Sequence, residues 1–213
     1  MSAYVVSIVN VKNPVLADFQ KVGLTSDLAN KIYIAQTAKT WGDVVGKADV
    51  KDEIHLYTRS DSSGAADIWA KFAGGKGQSD LKGIGVNGDP GVLDAIVKDP
   101  LGISYANLNY AFDLTTGKVV EGLAVIPLDA NKNGQADPDE IFDSTKTASE
   151  AVANGKYPSP PARIEWLVTK GAPTGVTKDF ITWILNDGQK LLESAGYVPL
   201  TPDQLAAEQA KVK

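Results

Sequence analysis

The sequence predicts an α/β fold. Three observations carry that expectation. Apolar β-branched runs alternate with segments of helical period along most of the 213 residues. Gly, Pro, Asn or Asp closes nearly every segment. No internal repeat or low-complexity tract breaks the alternation. AYVVSIVNV (3–11) is almost continuously apolar, the pattern of a buried strand, and Lys12-Asn13-Pro14 ends it. TSDLANKIYIAQ (25–36) predicts a helix capped by Thr25 or Ser26, with Leu28, Ile32 and Ile34 on its apolar side. EIHLYT (53–58) alternates and predicts a strand. AADIWAKFAGG (65–75) predicts a helix stopped by Gly74 and Gly75. LKGIGVNGDPGVLDAIVKDPLG (81–102) predicts strand, glycine-rich turn, helix and stop. GISYANLNYAF (102–112) predicts a strand region, and KVVEGLAVIPLD (118–129) one or two more.

STKTASEAVANG (144–155) predicts a helix that ends at Gly155. YPSPPAR (157–163) is a rigid extended connector, and IEWLVTKG (164–171) predicts a strand. TKDFITWILNDGQKLLESAG (177–196) predicts one long amphipathic helix with Phe180, Ile184, Leu191 and Leu192 among its apolar positions. Thr201, Pro202 and Gln204 predict a capping box with proline at the first helical position of a last helix. Trp41, Trp69, Trp166 and Trp183 mostly fall at helix or strand core positions, where they are read as packing.

Composition bounds the function. Hydrophobic residues are 43% and charged residues 22%, as in ordinary globular domains. A net charge of -5 with no Lys/Arg cluster argues against nucleic-acid binding. With no cysteine there is no disulfide, no thiolate metal site and no Cys nucleophile. Met1–Asn10 has no signal-peptide pattern, and no stretch approaches the ~20 apolar residues that span a bilayer.

The stretch with the most chemistry is YTRSDSSGAADIWAKF (57–72). Ser63, Gly64 and Ala65 stand at a predicted helix N-terminus, where free N–H groups and the positive dipole end receive anions. Arg59 offers a planar two-pronged donor, and Asp61 is suited to holding that guanidinium in place or to accepting the proton of a protonated oxyanion. The same residues would also form an ordinary cap and a surface ion pair. A serine nucleophile lacks the G-x-S-x-G elbow, and the lone His55 on a strand is a poor base candidate. VNGDPG (86–91) lacks the spacing and lysine of a nucleotide loop, so a structural turn beside the cleft is expected.

DANKNGQADPDE (129–140) matches a calcium loop: Asp129, Asn131, Asn133, the Gln135 carbonyl, Asp137 and Glu140 at the ligand places and Gly134 at the turn. A polar turn would use the same letters. The site expected here is structural Ca2+, with no cofactor required.

KTWGDVVG, YTRSDSSGA, GVNGDPGVLDAIVKDPLGISYANLNYAF and YPSPPARIEWLVTKG…DFITWILNDGQKLLESAGYVPL together resemble the phosphate-binding protein of the ABC-type phosphate importer, a type II solute-binding receptor that closes on one phosphate. The resemblance runs from about residue 4 to residue 200. It implies that Arg59 and Ser63 are phosphate ligands, that Gly64 and Ala65 give N–H groups, and that Asp61 orients Arg59; Ala65 replaces a hydroxyl residue of some relatives. It implies residues 1–10 as a first-lobe strand and crossover, 11–160 as a complete second lobe with a mixed sheet flanked by helices, and 161–213 as the return segment of the first lobe. The family's opening strand, phosphate-contacting loop and serine-rich loop have no counterpart, so half the phosphate shell is expected to be absent, either by truncation or because another chain or self-association supplies it. The expected protein is a non-enzymatic extracytoplasmic phosphate receptor that serves an ABC permease. A calcium-braced secreted interaction module without transport is the alternative.

Overall fold

The computed structural model describes residues 1–212. Strand β1 (Ser2–Asn10) is buried along nearly its whole length, as its continuous apolar pattern demands. Helices α1 (Leu16–Val22), α2 (Ser26–Tyr33) and α3 (Trp41–Val45) follow. The chain continues through β2 (His55–Arg59), α4 (Gly64–Phe72), β3 (Ile84–Val86), α5 (Gly88–Lys98), β4 (Gly102–Asn107) and the single turn α6 (Leu108–Ala111). β5 (Leu123–Ile126), α7 (Thr145–Ala153), β6 (Ala162–Ile164), α8 (Gly175–Leu185) and α9 (Pro202–Lys211) complete it.

The sheet order is β3-β2-β4-β1-β5, with β6 also on β1. β2 runs parallel to β3 and β4, while β1 is antiparallel to β4, β5 and β6, so the sheet is mixed. β1 is shared. Ser2–Tyr4 pair with β6, whereas Val5–Val9 pair with β4 and Ser7–Asn10 with β5. The strand expected to lead out of one lobe is thus a central strand of this sheet.

Aromatic packing fixes the helix that carries the site. On α4 the buried positions Ala65, Ala66, Trp69, Ala70 and Phe72 follow helical spacing. Trp69 stacks on Tyr105 of β4 at 5.5 Å and meets Tyr33 of α2 edge-on at 5.5 Å. Tyr33 in turn donates to the Ser104 carbonyl at 3.0 Å. Trp41 packs edge-on against Phe19 and donates to the Leu101 carbonyl, so α1 and α3, which the sequence reading passed over, are core elements. Fully burying side chains of this size contributes about 2–3 kcal/mol each.

Several caps match the sequence. Thr25 accepts from the Leu28 N–H, and Thr201 and Gln204 form the reciprocal capping box of α9. Four expectations need correction. The second half of GISYANLNYAF is the turn α6 and not strand. The strand at Ile164–Gly171 stops at Ile164, since among the described residues no neighbouring strand offers the rest a ladder; Trp166, Leu167 and Val168 are exposed there. The long helix breaks after Leu185 into 3-10 turns at Asp187–Leu191 and Glu193–Ala195, where Asn186-Asp187-Gly188 gathers weak helix formers. Finally, only Trp41 and Trp69 are packing residues; Trp166 and Trp183 are 64% and 45% exposed. These two join Phe180, Leu191 and Val176 in an exposed apolar face beside a cavity of about 720 Å³ lined by α8, α9 and residues 164–169. Among the described residues no helix is long and apolar enough to cross a membrane.

Candidate functional site

Parallel pairing of β2 with β3 builds the site. Its register sets Arg59 opposite Val86, so the loop after β2 and the loop opening α5 emerge side by side. Arg59 and Asp61 meet as the sequence suggested: Nε and Nη2 of Arg59 donate to the two Asp61 oxygens at 2.8 and 2.5 Å. Asp61 also accepts the Gly88 N–H at 2.9 Å. Gly88 presents that N–H at φ 70°, a backbone region that β-carbon-bearing residues avoid. The Arg59 hydrogen bonds, followed by the Gly88 N–H, hold the Asp61 carboxyl well below the usual carboxylate range. The same Asp61 contact raises Arg59 further.

One partner was not anticipated. Asp89, from the turn read as structural, accepts Arg59 Nη1 at 2.6 Å. It is buried, and it accepts both the backbone N–H and the side-chain amide of Asn107. Three of the five guanidinium N–H groups of Arg59 are therefore spent on carboxylates, leaving one on each Nη. The two-pronged edge expected to face an anion faces Asp61. The only sequence signal for Asp89 was an acidic residue in a glycine-rich turn, and pairing across two loops is not written in local spacing.

Ser63 is the N-cap of α4, and its hydroxyl accepts the Ala66 N–H at 3.3 Å. Gln78 clamps the loop, accepting the Ser63 N–H and donating to the carbonyls of Arg59 and Asp61. Tyr105 closes it from below, its hydroxyl touching Thr58 Oγ1 and accepting the Arg59 N–H. The N–H groups of Gly64 and Ala65 lie in the first turn and have no intrahelical acceptor. Gly64 is exposed, while Ala65 is buried. This arrangement can receive a small oxyanion through backbone N–H groups, the Ser63 hydroxyl and the two remaining N–H groups of Arg59. His55 lies apart, half-exposed, with Nδ1 2.7 Å from Asp99, which also accepts the Tyr57 hydroxyl.

The acidic loop (129–140) lies elsewhere. Asp129 and Glu140 are buried and face inward. Asp129 accepts the N–H groups of Asn133 and Gly134; Glu140 accepts those of Ala130 and Asp137. Asp137 accepts the side-chain amides of Asn131 and Asn133. The N–H of Gln135 goes to Asn133 Oδ1. Among the described residues no three carboxylate or imidazole side chains gather as a preformed metal cluster.

Comparison with known proteins adds three findings. The family model of the PBP superfamily domain matches residues 1–188. The phosphate-binding protein PstS of Staphylococcus saprophyticus is 28% identical over 191 residues, which is 89% of this chain and 54% of that protein, so the chain spans about half the length of this curated relative. Among solved structures, a possible phosphate-binding protein from Planctomyces limnophilus superposes with a TM-score of 0.67 at 16% identity, covering 99% of this chain and 69% of its own. A putative phosphate transporter substrate-binding protein from Clostridium perfringens, solved with bound phosphate, gives 0.66 at 20% identity over 94% and 70%. A phosphate transport receptor from Vibrio cholerae gives 0.64 at 19% over 93% and 70%. At these identities the structures establish the shared fold.

Proposed function

The chain belongs to the PBP superfamily, and on that premise we propose that it is a receptor for inorganic phosphate, working by binding and release without a catalytic step. The observation that carries this reading is the Arg59-Asp61-Ser63 loop running into the N-terminus of α4, with Arg59 fixed by two carboxylates. The nature of the matched relatives supports it. The receptor's place is extracytoplasmic, and its partner is an ABC permease. The exposed apolar face around Trp166, Phe180 and Trp183 packs against further polypeptide that forms the rest of that lobe, from another chain or a longer form of this one. This reading is preferred to a calcium-braced interaction module because the matched relatives are phosphate-binding proteins.

The acidic loop serves in this reading as a structural calcium site, with Asp129, Asn131, Asn133, the Gln135 carbonyl, Asp137 and Glu140 as ligands. Support comes from the inward carboxylates Asp129 and Glu140, whose oxygens each keep a second lone pair after accepting an N–H.

Titration calorimetry with phosphate and with sulfate tests the main reading. Phosphate is expected to bind and sulfate to bind more weakly, since a carboxylate acceptor favours a protonated anion. Absence of phosphate binding, with the whole lobe supplied, overturns it.

A further inference from the structure

We propose that Arg163 is a second ligand of the oxyanion, supplied by β6 to the side of the site opposite Arg59. The inference rests on the phosphate reading and deepens it. Antiparallel pairing with β1 sets Arg163 across from Ala3, while its buried neighbour Ala162 points to the other side. From there the guanidinium reaches the first residue of α4. A Cβ built on Gly64 would lie 2.5 Å from Arg163 Nη1 and 3.3 Å from Nη2. Glycine at this position lets the guanidinium come this close without shifting.

The electrostatics then pose a problem that an anion solves. Arg59 is held against two carboxylates, so its charge is compensated and it offers an incoming anion two N–H groups but little net positive potential. Arg163 brings a second cation to this helix end. Its Nε sits 2.7 Å from Glu165 but outside hydrogen-bond geometry, and that ion pair leaves both Nη groups toward Gly64. A cation pressed against the positive end of a helix is unfavourable by itself. An oxyanion between the guanidinium and the N–H groups of Gly64 and Ala65 reverses the sign of both contacts. The flexible arginine side chain permits the small retreat this requires.

A second observation comes from the polar cavity of about 140 Å³ that Arg163 lines with Tyr4, Asn107, Asn109, Tyr110 and Glu165. Asn107 joins the two arginines, since it lines the cavity with Arg163 and holds the Asp89 that fixes Arg59. Arg59, Ser63 and the helix N–H groups thus hold the anion from one side and Arg163 from the other.

The test is phosphate calorimetry on the wild-type chain, Arg163→Gln and Arg163→Lys, with thermal melts of each. Loss of one charge-assisted pair of hydrogen bonds is expected to weaken phosphate binding roughly tenfold to a hundredfold in Arg163→Gln. Arg163→Lys, which keeps the charge and loses the fork, is expected to fall between the two. Melting temperatures are expected to hold, because the Glu165 pair is partly exposed at 25% and 34% and adds little to stability. Wild-type binding that both variants leave within twofold overturns the role of Arg163 and leaves the phosphate reading intact. A wild type that does not bind phosphate, with the whole lobe supplied to it as to both variants, overturns both.

Discussion

Replacing Arg59 by Gln tests a task the structure gives this residue, neutralising buried acid, apart from its proposed task of holding an anion. The side chains of Arg59 and Asp89 are only 10% and 9% exposed. Arg59→Gln leaves Asp89 buried with the two Asn107 donors and no counter-charge. Breaking a buried pair from one side typically costs 3–5 kcal/mol. The lower end applies here, because the Asn107 donors remain and because Asp61, 31% exposed, is rescued by water. The expected loss is about 3 kcal/mol, a large share of the 5–15 kcal/mol that holds a typical domain together. For a chain of this size it corresponds to a fall of roughly 6–12 °C in Tm. Urea unfolding at neutral pH reads the loss directly. Adding Asp89→Asn to Arg59→Gln removes the stranded charge and is expected to recover about half of it. A single variant within about 1 kcal/mol of wild type, or a double variant no more stable than the single, refutes the argument that Asp89 is present as a charge held by Arg59.

Two further outcomes follow from the same geometry. The Asp61 carboxyl titrates below its unfolded-chain value of about 4. Over that acid range the native state binds fewer protons than the unfolded chain, so this contribution is full above about pH 4 and is lost as pH falls through the folded value. Asp61→Asn is expected to flatten the acid limb of the stability profile, measured as urea midpoints from roughly pH 3 to pH 5; an unchanged limb refutes it. For the acidic loop, calcium at ten times its Kd is expected to add about 1.4 kcal/mol and raise Tm by roughly 3–6 °C. Glu140→Gln is expected to abolish that rise, and a melt indifferent to calcium and chelator removes the calcium assignment.

The sequence by itself determined what depends on neighbours along the chain. Caps at Thr25 and Thr201, the β-branched run of β1 and the apolar stripe of α4 are local patterns, since capping and helical periodicity act within a few residues. The Arg59-Asp61 contact was legible for the same reason: two residues apart at a strand end, they have little choice but to meet. What the tertiary structure alone decided depends on pairings between distant segments. Asp89 reaches Arg59 because β2 and β3 run parallel in one register. Arg163 reaches Gly64 because β6 pairs with the start of β1. Ile164–Gly171 is mostly not a strand because a ladder needs a partner and the sequence of one segment does not say whether it has one. The sequence reading left most of the opposite wall of the anion site outside this chain. Strand pairing brings the Arg163 guanidinium, proposed above as part of such a wall, to the N-terminus of α4, a placement that no local spacing encodes.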